Sequence, residues 1–261
     1  MNGFIDIKGR LHETVTFTPE SYLFKDAAFV LLHEGLGCVE LWKNFPQNLA
    51  DAMGMDVVAY SRAGYGKSSP VEVPRELSYM HEEAEEWLPK ILKTLDYQRI
   101  ILVGHSDGGS IALIHAGSCA DERVSGVVTL AAHVFNEPVC VASIEKAKIA
   151  FQKGDLRPAL EKYHGDNVDV AFWGWNQAWL NPGFLNWNIE EYLPKIRIPL
   201  LVVQGDADEY GTEQQVDAIV SKTGGAAEKL MIKECRHSIH RDAPADLIGA
   251  IAGFIAKYQL V

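Results

Sequence analysis

Short apolar runs alternating with longer periodic segments constrain this chain more than any single motif. Residues 28–32, 56–60, 100–103, 124–131, 200–203 and 229–232 each read as a short strand, most with no face left for water. Such strands need helices on both sides, so the alternation predicts βαβ units and a largely parallel sheet. Residues 76–95 supply an amphipathic helix, with Trp87, Leu88, Ile91, Leu92 and Leu95 as its apolar stripe. Glu82, Glu83, Glu85 and Glu86 are expected on its solvated face. Further helices are expected over 110–116 and 244–258, and residues 4–7 with 12–17 suggest an antiparallel hairpin across Gly9-Arg10.

One stretch breaks the rhythm. Residues 134–194 contain no buried strand but hold Trp173, Trp175, Trp179 and Trp187, four of the six tryptophans. They read as a helical cap over the C-terminal edge of the sheet, where open α/β sheets bind ligands. Residues 1–133 and 195–261 then form the body, a size that one domain of 261 residues accommodates.

Composition narrows the partners. Lys and Arg number 24 and Asp and Glu 35, a net charge of −11, whereas nucleic acid and anionic membranes demand a basic footprint. The expected partner is a small-molecule substrate, not nucleic acid or a membrane, with a homodimer left open. No apolar run reaches the ~20 residues of a membrane span, and residues 1–10 show no secretory pattern. Cys38, Cys119, Cys140 and Cys235 are scattered without a C-x-x-C pair, which favours reduced thiols and the cytoplasm.

Chemistry concentrates at strand ends. Gly104-His105-Ser106-Asp107-Gly108 fits G-x-S-x-G between a strand and a helix. That turn exposes a serine, and its flanking glycines are needed because side chains there would clash. A serine hydroxyl needs a general base, and the base needs an orienting acid, here expected in the order Ser, acid, His. The acid comes from Asp206, Asp208 or Glu209, of which Asp208 has the best reach and Asp206 reads as a turn residue. The base is His237, with His240 as the alternative and as a loop histidine bonded to backbone otherwise. Oxyanion donors are expected from the N–H of Asp107 and from Gly35, with Leu36 as alternate. His33 and His105 read as packed residues holding two turns, while His133 could line the pocket. No metal or cofactor is expected: His237-x-x-His240 lacks zinc spacing, and Asp206-Ala207-Asp208-Glu209 lacks the glycine of a calcium loop.

With these residues assembled, the chain resembles the α/β-hydrolase superfamily. Residues 31–37 look like its oxyanion turn, Tyr60 to Ser68 like its R-G-x-G-x-S loop, 104–109 like its elbow, 205–208 like its acid loop and 237–244 like its histidine loop. The resemblance implies an α/β-hydrolase fold, a mostly parallel central sheet flanked by helices with a small helical cap. Two positions depart from it. Glu34 replaces the usual glycine and is expected to bridge Arg62, with a side chain that reaches the site as the alternative. Asp107 follows the nucleophile, where its carboxylate must be paired or turned away from an oxyanion. Ser106 in place of aspartate disfavours dehalogenation. The implied activity is a carboxylesterase-like serine hydrolase, forming an acyl-enzyme from a small apolar or aromatic ester. A carbon–carbon bond hydrolase, a hydroxynitrile-lyase-like enzyme, a thioesterase and a receptor on a hydrolase scaffold are the alternatives. Leu36, His133, Trp173, Trp175, Trp179 and Trp187 are expected around the substrate, at least two of the tryptophans facing it.

Overall fold

The apolar runs do pair into one eight-stranded sheet, in a computed structural model that describes residues 2–119 and 121–261. The hairpin strands are β1 (Asn2–Ile7) and β2 (Arg10–Phe17). Arg10 opens the second strand opposite Ile7, so the turn is Lys8-Gly9, both at positive φ, rather than Gly9-Arg10. There follow β3 (Ala27–Leu32), α1 (Phe45–Met53), β4 (Asp56–Tyr60), α2 (Tyr79–Glu82), α3 (Leu88–Lys93), β5 (Arg99–His105), α4 (Asp107–Ser118) and β6 (Val124–Leu130). The helices α5 (Pro138–Lys153), α6 (Leu156–His164) and α7 (Val168–Trp179) come next. The chain closes through β7 (Leu200–Gly205), α8 (Glu213–Lys222), β8 (Ala227–Ile232), α9 (Ile239–Asp242) and α10 (Pro244–Tyr258). The order across the sheet is β1-β2-β4-β3-β5-β6-β7-β8, antiparallel through β2–β4 and parallel from β4 to β8.

The two faces of each central strand bury different layers. Val30, Leu32, Ile100 and Leu102 pack with α3 and α4, while Phe29, Leu31, Ile101 and Val103 pack with α1 and α10. This is the period-2 alternation of a strand covered on both sides. No helix among the described residues is long and apolar enough to cross a membrane.

The helix expected over 76–95 is shorter and interrupted. It starts at Tyr79, and a π turn over Glu83–Trp87 separates α2 from α3. Pro89 sits in the first turn of α3 and has no N–H to return to the residue four earlier, and the wider turn absorbs that loss. The extra residue rotates the helix face by about 100°. Glu83 follows the buried Met80 and Tyr79 by three and four residues, so it shares their face and is buried rather than solvated; burial pushes its carboxyl upward, with Arg62 and Arg75 pulling against it. Glu82, Glu85 and Glu86 remain exposed.

Six buried histidines are held in the neutral form by burial. His12, beside the Tyr60 and Trp87 rings, is lowered to about 4, and His240, against Trp42, Phe45 and His105, to about 3. His33, His115, His133 and His164 are lowered as well. His240 is therefore a packed ring whose Nδ1 has no partner.

Two outcomes are expected. The folded state binds fewer protons at these histidines than the unfolded chain does, so stability rises with pH below about 6.5. Thermal unfolding should show a midpoint at pH 4.5 roughly 10 °C or more below that at pH 7.5; a flat profile would contradict the buried neutral rings. Separately, a methyl at Gly108 would run into the Leu32 carbonyl. Gly108→Ala should therefore cost about 3 kcal/mol or more in denaturant unfolding, and a variant as stable as the wild type would refute that packing.

Candidate active site

Ser106 sits between β5 and α4 with φ 51° and ψ −118°, a left-handed conformation that non-glycine residues adopt only under constraint. The constraint comes from backbone meeting backbone. A Cβ on Gly104 would strike the Gly108 peptide, and one on Gly108 would strike Leu32 and His33. One on Gly109 would come within 2.7 Å of the Ala132 side chain. The Ser106 N–H donates to the Leu130 carbonyl at 2.8 Å, tying the turn to β6. Asp107 opens α4, so its N–H has no partner within the helix.

The loops after β7 and β8 bring two predicted residues together. His237 Nδ1 donates to Asp208 Oδ1 at 2.8 Å and lies 3.0 Å from Oδ2. The side chain of Asp208 is 1% exposed, and it also accepts the Tyr210 N–H at 2.8 Å. Burial alone would raise the Asp208 carboxyl, but the hydrogen bond and charge of His237 outweigh it and hold the group below its ordinary value. The other two candidate acids do different work. Asp206 accepts the Glu234 N–H at 2.6 Å as a turn residue. Glu209 accepts the His237 N–H at 3.2 Å while pairing with Arg236 at 2.8 Å. The carbonyl of His237 accepts from His105 Nε2 at 2.9 Å. The imidazole thus hangs from an acid, and the backbone N–H and carbonyl of the same residue are both held.

Ser106 and His237 open on one cavity of about 320 Å³, near the lower end for small-molecule sites. Gly35, Leu36, Asp107, His133, Trp175 and Trp179 line it. Trp173 and Trp187 do not. Trp175 and Trp179 lie four residues apart on the inward face of α7, whereas Trp173 is turned about 200° from Trp175 and packs on Phe151 and Phe172. Trp187 follows a tight turn, stacks on Phe184 and stands behind Trp179. Cys140, Ile144 and Leu156 complete the apolar wall, and Tyr210 stands with its ring centroid 4.7 Å from that of His237. Spacing of four on the helix that begins at Pro138 was the available signal for Cys140 and Ile144. Tyr210 was signalled only by its place beside the acid loop.

The departures from the family pattern are resolved by contacts. The Asp107 carboxylate is fully buried, accepting from Tyr79 Oη at 2.5 Å and from Trp179 Nε1 at 3.2 Å. Glu34 does not bridge Arg62. The Arg62 guanidinium instead donates to the carbonyls of His33 and Glu34, and the Glu34 carboxylate turns to His105, 3.4 Å from Nδ1. Arg62 is buried, and its two terminal nitrogens are taken up by those backbone oxygens. His33 holds its turn as expected, accepting the Arg62 N–H at 3.0 Å and donating to the Glu34 carbonyl at 2.7 Å.

Side chains from the 134–194 segment are bonded to the turns around this cavity. His164 accepts the Gly66 N–H and donates to the Leu36 carbonyl, both at 3.0 Å. Asn167 donates to the carbonyls of Gly66 and Ser68. Ser143 donates to the Glu209 carbonyl at 2.5 Å. His164 carried no sequence signal, because a lone histidine at a helix end has no pattern.

Known proteins were compared with this arrangement. The human serine hydrolase BPHL is 26% identical over 187 residues, which is 70% of this chain and 64% of that protein. A proline iminopeptidase of Lactobacillus delbrueckii subsp. bulgaricus is 28% identical over 102 residues, 39% of this chain and 35% of its own. The matches thus span less than two thirds of either relative. The crystal structure of a Mycobacterium smegmatis proline iminopeptidase shares the fold, with a TM-score of 0.76 at 16% identity, covering 100% of this chain and 99% of the other. A family model for the alpha/beta hydrolase fold matches residues 27–157, from β3 through the Ser106 turn to the start of α6. That is half of the chain, and the chain belongs to the alpha/beta hydrolase fold family.

Proposed function

We propose that this protein is a serine hydrolase of small, apolar or aromatic carboxylic esters. The observation that carries the reading is a buried His237–Asp208 pair opening on the same small cavity as a serine on a strained strand-to-helix turn. In this reading Ser106 Oγ attacks the ester carbonyl as His237 Nε2 takes its proton. Asp208 holds the Nδ1–H tautomer and stabilises the imidazolium. The N–H groups of Asp107 and Gly35 receive the oxyanion, and the engagement of the Asp107 carboxylate by Tyr79 and Trp179 supports this by keeping its charge occupied. His237 returns the proton to the departing alcohol, then activates water to release the acyl group.

Residues 134–194 act as the cap. Trp175 and Trp179 form its substrate wall, and their breadth in a cavity of about 320 Å³ favours a short or flat acyl group. Cys38, Cys119, Cys140 and Cys235 are all free thiols, which supports a cytoplasmic enzyme. The second reading rests on two relatives named proline iminopeptidase: the same groups would cleave the amide after an amino-terminal proline.

Three measurements test the reading. With p-nitrophenyl acetate, butyrate and octanoate beside prolyl p-nitroanilide, the two short esters should turn over fastest. Preference for the anilide would replace the ester reading with the peptidase one. Ser106→Ala should reduce turnover by roughly four orders of magnitude with an unchanged melting temperature; retained turnover would sink the mechanism. Trp175→Ala should raise KM for the preferred ester about tenfold, whereas Trp173→Ala should leave it within about twofold. Equal effects would contradict the assigned wall.

A further inference from the structure

Glu34 stands where the family resemblance calls for glycine, and no step of the proposed mechanism uses it. Its carboxylate is folded beneath its own turn, so a Cβ on Gly37 would run into it. There Oε2 lies 3.4 Å from Nδ1 of His105, a ring that is 1% exposed. The other nitrogen of that ring, Nε2, is 2.9 Å from the His237 carbonyl oxygen. A carbonyl oxygen only accepts, so Nε2 is the donor, and the ring's orientation is then decided by what faces Nδ1. The His105 and His237 rings lie 5.0 Å apart, so a rotation of the first displaces the second. Burial alone would raise the Glu34 carboxyl, but its interaction with His105, 3.4 Å away, outweighs burial and holds it well below the usual carboxylate range.

We infer that Glu34 is a positioning residue: through His105 it fixes the peptide of His237, and so the place of that imidazole relative to Ser106. The inference rests on the reading of Ser106 as nucleophile and His237 as base. Glu34, His105 and the His237 carbonyl form a second acid–imidazole line behind the Asp208–His237 pair, with Glu209 holding the N–H of the same residue. A displacement of about 1 Å at a reacting group is enough to cost roughly a hundredfold in rate. The glycine at position 37 belongs to the same device, because only an absent side chain leaves room for the folded carboxylate.

The test is the rate at which Ser106 is phosphonylated by a small neutral alkyl fluorophosphonate, with fluoride as the leaving group, so no natural substrate is needed. Glu34→Leu leaves nothing facing Nδ1 and should slow labelling at least tenfold. Glu34→Gln keeps an acceptor oxygen facing Nδ1, without the charge, and should slow it only about threefold. Gly37→Ala, which displaces the carboxylate without removing it, should act like Glu34→Leu. The Glu34→Leu/Gly37→Ala double variant should be no slower than either single one, and this non-additivity separates the line from general loosening of the turn. The same order should hold with a fluorophosphonate bearing a quaternary ammonium. Labelling of Glu34→Leu and Gly37→Ala at the wild-type rate would overturn the inference. So would an effect confined to the cationic probe, since Glu34 would then be touching substrate directly. If wild type and Ser106→Ala are equally unreactive, the nucleophile reading itself fails and takes the inference with it.

Discussion

The structure depends on one close approach, that of the Gly104–Gly109 backbone to β3 and to Ala132 just beyond β6. Where β5 turns into α4 no Cβ can be accommodated at Gly104 or Gly108, and this contact holds Ser106 at φ 51°. Backbone strain of this kind costs on the order of 1–3 kcal/mol and persists only when the surroundings over-determine it. Here the surroundings are the parallel strands themselves. Their carboxyl ends also deliver the Glu34 turn from β3, the Asp208 loop from β7 and the His237 loop from β8. The sheet order is thus what brings residues more than 100 positions apart to one cavity.

Around that fixed serine, the other groups are held by hydrogen bonds rather than by packing alone. His237 is held at its ring by Asp208, at its N–H by Glu209 and at its carbonyl by His105. The helical segment over the cavity is bonded to the same loops at three places, through Trp179 to Asp107, Ser143 to the Glu209 carbonyl and His164 to the Leu36 carbonyl. Each of those partners adjoins a residue of the proposed chemistry. Movement of α5, α6 or α7 therefore reaches the cavity through a bond to the body, and the wall formed by Trp175 and Trp179 is registered on the turns it faces.

Much of this was legible before any coordinates. The buried runs announced the parallel sheet, and the strand-end position of Ser106, Asp208 and His237 follows from that alternation. Local order was less legible where one residue changes a helix. A π turn over Glu83–Trp87 interrupts the helix ahead of Pro89, and Glu83 is buried beside Tyr79 and Met80, although the charge pattern alone placed it in water. The tryptophan cluster was visible, but which rings face the cavity is set by helical phase. Trp175 and Trp179 share a face, Trp173 does not, and Trp187 lies beyond a turn whose direction no periodicity encodes. Glu34 was visible as an anomaly, yet its partner was not. Arg62 was the nearer guess by charge, and the fold instead spends that guanidinium on two backbone carbonyls. Contacts such as His164 to Gly66 join segments 98 residues apart through a single ring, and nothing in the sequence pairs them.

The central claim is that the strained serine becomes acylated because His237 and Asp208 serve it. Its most direct test is mass spectrometry of the acid-quenched protein during turnover of p-nitrophenyl butyrate. The account predicts a butyryl adduct on the peptide that carries Ser106, formed in the wild type and strongly reduced in Asp208→Asn. An adduct on another residue, or turnover with the serine peptide left unmodified in wild type under conditions that trap acyl-enzymes, would contradict it.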